Sequence, residues 1–376
     1  MKRLGLYIHI PFCRSKCLYC DFCSFPHRDE SVMRAYVDAL CADLRRNSSE
    51  CAAYTVDTVY FGGGTPTLLP AELLAQILET VFACYRVGSD CEISAECNPK
   101  TAGFEGFQRM HNAGFNRLSI GLQSAHEREL KALGRLHSFA DFAHTVEQAR
   151  LAGFANIGAD VMFGIPCQTV ESYLQTLEHL VALSPEHVSA YGLTVEEGTP
   201  FGRMGDRLIL PDEEQARRMY FEGAELLEKN GYLQDEISNF ARAGYESRHN
   251  LKYWNCEEYL GFGPAAYSDF GGRRFGNSRN LDAYLAGADY LAECEEPSQT
   301  ERMNEYVMLR MRLAAGVKAS AFEARFGASF SECFGKRMEP YVCGGFLTLG
   351  DHGAAFTRQG MYVSNAVLCE VLDFLG

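Results

Sequence analysis

Three closely spaced cysteines are the residues of this chain best suited to chemistry. Cys13, Cys17 and Cys20 lie in the stretch LYIHIPFCRSKCLYCDFCS, residues 6–24, with the spacing C-x3-C-x2-C. A zinc site normally takes four Cys or His ligands, usually as two separated pairs, whereas iron–sulfur clusters are held by closely spaced thiolates. We therefore interpret Cys13, Cys17 and Cys20 as the metal ligands of a 4Fe–4S cluster, in which three thiolates leave one iron open to a small molecule.

A fourth cysteine, Cys23, lies three residues beyond Cys20, and we interpret it as a neighbour of the cluster rather than a ligand. The whole stretch resembles the signature of the radical S-adenosylmethionine family, which has this cysteine spacing. From the residues alone, a zinc site and free thiols in a reducing compartment remain open as alternatives.

The composition narrows the class of protein. The chain has 376 residues, enough for one large domain and a smaller one, and a formal net charge of -14. This charge disfavours non-specific nucleic-acid binding, which depends on Lys and Arg. The chain has 15 cysteines, an odd number, and the four near the start are too crowded for an ordinary disulfide framework, which predicts a reducing, cytoplasmic location. No apolar run approaches the ~20 residues that cross a bilayer.

Strand-like and helix-like segments alternate through the first part of the chain. The predicted strands cover residues 4–10, 55–61, 91–97, 117–124, 156–166 and 187–197. The predicted helices cover residues 31–47, 70–83, 103–113, a region up to about 152, 169–183 and 212–230. Six such repeats predict an α/β fold with a parallel sheet and helical crossovers. The family resemblance implies that this sheet forms a partial (β/α)6 TIM-like barrel.

The residues able to do chemistry follow the ends of these strands, where barrels carry their active sites. The cysteine loop follows the first strand, and the turn Gly62–Pro66 follows the second. Glu96 ends the third strand, Gln123 ends the fourth, and Asp160 is a polar residue inside the apolar fifth. This distribution predicts one shared site.

The pattern changes after about residue 231. Residues 235–290 are rich in aromatic residues, glycine and mixed charge, and we expect this segment to pack on a barrel formed by residues 1–234. Residues 291–376 contain helical patterns, a short hairpin at FLTLGDHGAAFT and a final helix at NAVLCEVLDFLG, which suggest a small, mainly helical, winged-helix-like domain. Because the chain is acidic, we expect this domain to pack or to bind a partner rather than DNA.

The resemblance is closest to the oxygen-independent coproporphyrinogen III oxidase group and covers residues 6 to about 270. It implies that S-adenosylmethionine binds the open iron and that the glycine-rich turn holds its methionine part, since glycine lets backbone groups approach a ligand closely. The cofactor-binding residues that the resemblance implies are Tyr7, Tyr19, Gly63, Gly64, Thr65, Glu96, Gln123, Arg135, Asp160 and Ala190. The carboxylates of this set can accept hydrogen bonds from hydroxyls and amines. A buried structural ion pair remains the alternative role for Glu96 and Asp160.

Two functions fit this resemblance. The first is an oxidase, in which a radical made from S-adenosylmethionine starts the oxidative decarboxylation of porphyrinogen propionates. The second is a heme chaperone, which binds heme and transfers it to an acceptor protein. The oxidases carry a substantial segment before the cysteine loop, whereas Cys13 lies almost at the start of this sequence. We therefore expect no coproporphyrinogen oxidase activity, and whether any radical reaction takes place stays open.

The stretch RHNLKYW, residues 248–254, distinguishes the two functions. It contains His249, Asn250, Tyr253 and Trp254 in the pattern H-N-x-x-Y-W, which resembles the heme-binding signature of the HemW heme chaperones. Histidine is a common axial ligand of heme iron, and aromatic rings can pack on a porphyrin face. The one departure is the fourth cysteine, which the oxidases carry and many HemW proteins lack.

The resemblance thus implies a heme chaperone with a 4Fe–4S cluster, S-adenosylmethionine and heme as cofactors. Its partners would be heme-acceptor proteins, for example respiratory-chain hemoproteins. A membrane-associated acceptor and a homodimer are both compatible with this hypothesis, and nucleic acid is not an expected partner.

Overall fold

The computed structural model describes residues 2–26, 29–287 and 291–372. The six expected strands are β1 (Lys2–Ile10), β2 (Tyr54–Gly63), β3 (Val87–Cys97), β4 (Arg117–Gln123), β5 (Asn156–Phe163) and β6 (His187–Gly192). The helices between and after them are α1 (Glu30–Asn47), α2 (Ala71–Cys84), α3 (Phe104–Ala113), α4 (Glu127–Ala132), α5 (Phe139–Leu151), α6 (Val170–Ala182), α7 (Pro200–Met204) and α8 (Glu213–Lys229). Neighbouring strands from β1 to β6 pair in parallel, which confirms the predicted sheet with helical crossovers.

The two faces of the barrel strands have different roles. In β1, Leu6 and Ile8 belong to the main apolar core, which also contains buried residues of the surrounding helices. Tyr7 and His9, on the opposite face of the same strand, contact each other and the rings of the barrel interior. Since parallel sheets are covered on both faces, their strands are buried throughout, and β4 is buried along its whole length. The polar residues of the interior are therefore held in an otherwise rigid frame.

The segment that follows the barrel repeats extends the same sheet at both edges. Its strands are β7 (Leu233–Gln234), β8 (Asn239–Ala241), β9 (Tyr259–Phe262), β10 (Tyr267–Phe270), β11 (Arg273–Asn277) and β12 (Leu291–Glu295), and its helices are α9 (Arg248–Trp254) and α10 (Leu281–Leu285). The resulting twelve-stranded sheet has the order β12-β11-β10-β9-β1-β2-β3-β4-β5-β6-β8-β7. β9 pairs in parallel with β1, and β8 pairs antiparallel with β6. The segment expected to pack on the barrel thus supplies strands to it.

The last part of the chain forms a helical unit with its own core and a small sheet. Its helices are α11 (Gln299–Arg310), α12 (Ala319–Phe326), α13 (Lys336–Cys343), α14 (Arg358–Tyr362) and α15 (Ser364–Val371), and its strands are β13 (Val317–Lys318), β14 (Leu347–Gly350) and β15 (Gly353–Phe356). The predicted hairpin is β14 and β15, and β13 adds a third strand beside β15. Residues 373–376 of the predicted final helix lie outside the described residues. No helix in the described part of the chain is long and apolar enough to span a bilayer.

Candidate functional site

The cysteine loop is held against the end of β1. A short two-stranded pairing joins Phe12–Cys13 to Phe25–Pro26, and the backbone N–H of Phe25 donates to the carbonyl of Pro11 at 2.7 Å. These contacts close the loop at both ends. Cys13, Cys17 and Cys20 are all half-buried within it.

The carboxyl ends of the barrel strands surround a cavity of about 500 Å³. The predicted site residues that line it are Cys13, Cys17, Tyr19, Cys20, Gly63, Gly64, Thr65, Glu96, Gln123, Arg135 and Asp160. They come from the cysteine loop, from β2 and its turn, from β3, β4 and β5, and from the loop after α4. Residues far apart in the sequence therefore share one concave site, as expected for a barrel.

The thiol of Cys23 lies apart from the three cavity cysteines. Its Sγ is 3.6 Å from the carbonyl oxygen of Arg279, and its own carbonyl oxygen lies 2.8 Å from Nε2 of His9. Burial raises the pKa of both Cys23 and Cys20. In the described residues, no three Cys, His, Asp or Glu side chains are close enough to hold a single metal ion. The three thiols instead line the wall of the wider cavity.

The glycine turn after β2 forms one wall of the cavity. The N–H of Gly64 donates to the carbonyl of Ile10 at 2.8 Å, which places the turn directly beside the cysteine loop. A Cβ at Gly64 would lie 2.6 Å from the carbonyl oxygen of Phe12, and Gly63 has a φ of 113°. Only glycine meets both requirements without strain, so the turn leaves its backbone open to a ligand.

Glu96 and Asp160 bring two carboxyl groups to the same cavity. The hydroxyl of Tyr60 donates to Glu96 at 2.9 Å, and Ser119 donates to Asp160 at 3.0 Å. Burial, and then the nearby Asp160, raise the pKa of Glu96 to about 7, while burial raises the pKa of Asp160. Two partly buried carboxyl groups that face a cavity favour a ligand with a positive charge or with hydrogen-bond donors.

Arg135 links the other walls of the cavity. Its guanidinium donates to the hydroxyl of Tyr19 at 2.6 Å and to Oδ1 of Asn98 at 2.7 Å. The amide of Asn98 in turn donates to the hydroxyl of Thr65 at 2.7 Å. Arg135 thus joins the cysteine loop to the glycine turn. We did not predict Asn98 or Ser119 from the sequence, although Asn98 directly follows the strand that ends with Glu96 and Cys97.

Two of the residues predicted to contact S-adenosylmethionine lie outside the cavity lining. Tyr7 is inside the barrel, where its hydroxyl lies 3.1 Å from Nδ1 of His9. Ala190 is buried in β6, and its N–H donates to the carbonyl of Ser238 at 2.7 Å.

His249 is enclosed by the barrel interior. It is only 1% exposed, its Nδ1 lies 2.8 Å from the hydroxyl of Thr58, and its Nε2 lies 2.8 Å from the hydroxyl of Tyr253. Burial, and then the charge of Lys252, lower the pKa of His249 to about 3. The imidazole is therefore neutral at ordinary pH, and each ring nitrogen lies within hydrogen-bond distance of a hydroxyl group.

The other residues of the HNxxYW motif point to different surroundings. The Trp254 ring packs under the guanidinium of Arg312 at 4.7 Å, on the side of the C-terminal helical unit. The backbone N–H of Asn250 takes part in the cap of α9 by donating to Ser247. The motif residues do not line the cofactor cavity, and the structure does not bring them together on one open surface.

The residues of the cavity fit the cofactors that the cysteine spacing suggests. Three thiols on one wall suit a cluster, and the open glycine turn with two partly buried carboxyl groups suits a ligand that carries amino and hydroxyl groups. A family model described as the Radical SAM superfamily matches residues 7–180, and one described as the HemN C-terminal domain matches residues 298–363. The fold and the cavity together define the class, which is that of the radical S-adenosylmethionine proteins.

Comparison with known proteins narrows this class. The chain is 34% identical to the heme chaperone HemW of Bacillus subtilis, over 96% of this chain and 97% of that protein. It is also 34% identical to the heme chaperone HemW of Escherichia coli, over 97% of each chain. A mitochondrial mouse protein, radical S-adenosyl methionine domain-containing protein 1, is 34% identical over 99% of this chain and 88% of its own length. The chain belongs to the HemW family.

A solved structure shows the same fold. Coproporphyrinogen III oxidase (HemN) from Escherichia coli, a radical SAM enzyme, matches with a TM-score of 0.88 over 100% of this chain and 91% of the oxidase, at 23% sequence identity. This match confirms the predicted partial barrel with its C-terminal unit.

Proposed function

We propose that this protein is a heme chaperone, which binds heme and delivers it to an acceptor protein. The observation that carries the proposal is the similarity to heme chaperones from distant bacteria, which extends over nearly the whole of both chains. The acceptor on this proposal is an apo-hemoprotein, and respiratory hemoproteins at a membrane surface meet that description.

Cys13, Cys17 and Cys20 are the proposed ligands of a 4Fe–4S cluster. S-adenosylmethionine is the proposed second cofactor, with Gly63, Gly64 and Thr65 around its methionine part. The remaining proposed contacts are Glu96, Gln123, Arg135 and Asp160, all of which line the same cavity. When bound, the 4Fe–4S cluster and S-adenosylmethionine would together supply one-electron chemistry at the open iron. The residues of this chain orient the cofactor and exclude water from its buried side.

His249 is the proposed axial ligand of heme iron. In the structure its Nε2 faces the hydroxyl of Tyr253 at 2.8 Å, so iron can bind this nitrogen only after Tyr253 has moved away. The movement would open the region around α9, which lies between the barrel interior and the C-terminal unit. Tyr253 and Cys256 are the next candidates for the ligand, although burial raises the pKa of the Cys256 thiol to about 12.

A hemin titration tests this proposal. Hemin is added to the anaerobically reconstituted protein and to His249→Ala, and the Soret band is followed together with the absorbance of the cluster. We expect a Soret band at about one heme per chain, as for one His-centred site, and a shifted or weakened band in His249→Ala with the cluster retained. Unchanged heme affinity in His249→Ala would assign the iron ligand to another residue.

The same samples are assayed for conversion of coproporphyrinogen to protoporphyrinogen. We expect none. Conversion at rates typical of enzymes, with kcat of about 1 per second or more, would replace the chaperone with the oxidase.

A further inference from the structure

Three nearly parallel rings pack together in the barrel interior next to the cavity. The ring of Tyr60 lies 5.2 Å from that of His249 and 6.3 Å from that of Tyr7, with interplanar angles of 19° and 17°. We call Tyr7, Tyr60 and His249 the ring cluster. A tightly packed interior of this kind resists small displacements of any one ring.

His249 is held from several sides within the ring cluster. Both ring nitrogens lie within hydrogen-bond distance of a hydroxyl, and its backbone N–H donates to the buried carboxylate of Glu92 at 3.1 Å. Gly5 of β1 leaves room for the imidazole, because a Cβ there would lie 3.3 Å from Cε1 of His249. These contacts come from β1, β2, β3 and α9, so His249 has little freedom to move.

Tyr60 connects the ring cluster to the cavity. Its hydroxyl donates to Oε1 of Glu96 at 2.9 Å, and the N–H of Gly63 donates to Oε2 at 3.1 Å. A Cβ at Gly62 would lie 2.9 Å from the Tyr60 ring and 3.1 Å from Oε1 of Glu96. Both side chains therefore pack against Gly62, and a shift of the Tyr60 ring would move the hydroxyl that donates to Glu96.

We propose that His249 is a positioning residue of the cofactor cavity, which acts through Tyr60 to set the direction in which Glu96 faces S-adenosylmethionine. The imidazole supports one face of the Tyr60 ring, and the Tyr60 hydroxyl then orients the carboxylate. His249 of the HNxxYW motif, which suggests heme binding, would thus also help to position the contact to S-adenosylmethionine.

A coupling between the two ligands follows, and it rests on the proposed function, in which His249 ligates heme iron. Iron at Nε2 would take the place of the Tyr253 hydroxyl, and a porphyrin beside an enclosed imidazole would displace the rings that pack on it. Heme at His249 would therefore disturb Tyr60 and Glu96. By linkage, heme then weakens S-adenosylmethionine binding by the same factor by which S-adenosylmethionine weakens heme binding.

Equilibrium binding of S-adenosylmethionine to the full-length, anaerobically reconstituted protein tests the positioning role. Tyr60→Phe removes only the hydroxyl that donates a hydrogen bond to Glu96, and His249→Ala removes the ring beside Tyr60. We expect each change to weaken binding about tenfold, the loss typical of one hydrogen bond to a charged group. Both changes act through one contact, so their effects should not add. The double variant should therefore bind S-adenosylmethionine about as well as the single variant with the lower affinity.

The variant His249→Phe separates positioning from heme ligation. It keeps a flat ring beside Tyr60 and has no nitrogen for iron. We expect it to recover most of the S-adenosylmethionine affinity that His249→Ala loses, while its Soret band stays altered. If the Soret band is unaltered in both variants, His249 is not the heme ligand and that part of the proposed function is wrong. The positioning role is not affected by that result, because the S-adenosylmethionine affinities decide it.

The pH dependence of S-adenosylmethionine binding distinguishes a positioning role from a simple loss of packing, because loss of packing alone would not shift the pH midpoint. The titratable and charged groups that influence Glu96 from the surrounding elements are Tyr7, Tyr60, Arg117, Asp160, Tyr191 and Tyr253. The Tyr60 hydrogen bond lowers the pKa of Glu96. Its removal should therefore move the pH midpoint of S-adenosylmethionine binding upward in Tyr60→Phe and, in the same direction, in His249→Ala.

Tyr85→Phe is the matched control, because the hydroxyl of this buried tyrosine donates to the carbonyl of Leu44 at 2.8 Å and does not line the cavity. We expect its affinity and pH midpoint to equal those of the unaltered protein. If His249→Ala retains cluster content and shows an unchanged affinity and pH midpoint, the positioning role is wrong, whatever the result for Tyr60→Phe.

Discussion

Glu96 is the residue at which the cofactor cavity meets the packed interior of the barrel. Its carboxyl group lines the cavity and accepts the hydroxyl of Tyr60. The sequence indicates Glu96 and Asp160, because a carboxyl group within an apolar strand is costly unless it has a partner or a function. Tyr60, Asn98 and Ser119 are ordinary residues for a strand or a strand end. Their roles depend on contacts between strands that periodicity alone does not specify.

The cysteines provide a prediction at the same scale. Cys17→Ala should abolish the brown chromophore of the reconstituted protein, whereas Cys23→Ala should largely keep it. The reason is that Cys17 lines the cavity, while the Sγ of Cys23 contacts the carbonyl of Arg279 instead. Visible absorbance and iron content after anaerobic reconstitution measure the difference. If Cys23→Ala loses iron as completely as Cys17→Ala, the cluster has a fourth cysteine ligand.

At the scale of elements, β2 and the turn after it bring the glycine wall next to the cysteine loop. The six barrel strands could be predicted because each has closely spaced or alternating apolar residues and is followed by a helical pattern. Strands β9 and β10, which extend the sheet beyond β1, could not be predicted. Each has only four residues, YLGF in β9 and YSDF in β10, too few to show a clear pattern, and the pairing of β9 with β1 joins residues about 250 positions apart in the chain.

Gly64→Ala tests the close approach of these two loops. The new Cβ would meet the carbonyl oxygen of Phe12 at 2.6 Å. Because the backbone fixes the position of the Cβ and the oxygen is itself a backbone atom, one loop must shift. We expect a loss of about 1–3 kcal/mol in the free energy of unfolding, as for overpacking, together with reduced cluster occupancy. Gly103→Ala is the matched control, since a Cβ there meets nothing within 4 Å and its φ is -117°.

Thermal unfolding and iron content are measured for both glycine variants. Normal cluster occupancy and normal stability in Gly64→Ala would show that the two loops can separate, contrary to the packing described here.

At the scale of the whole molecule, α9 lies between the barrel interior and the C-terminal helical unit. His249 at its start belongs to the ring cluster, whereas Trp254 at its end packs under Arg312. Arg325 of α12 also donates to the carbonyl of Cys256 just beyond α9, at 3.0 Å. The sequence predicts both units separately, but it does not predict that the HNxxYW motif joins them, because that depends on how the two cores pack together.

The claim on which this description depends is that one cavity holds a three-thiolate cluster together with S-adenosylmethionine. The most direct measurement is the EPR spectrum of the reduced, reconstituted protein with and without S-adenosylmethionine. We expect the cluster signal to change on addition, because the cofactor binds the open iron, and we expect Asp160→Ala to weaken this response while cluster content stays intact. A cluster signal that remains the same at saturating S-adenosylmethionine would contradict the open iron and the shared cavity.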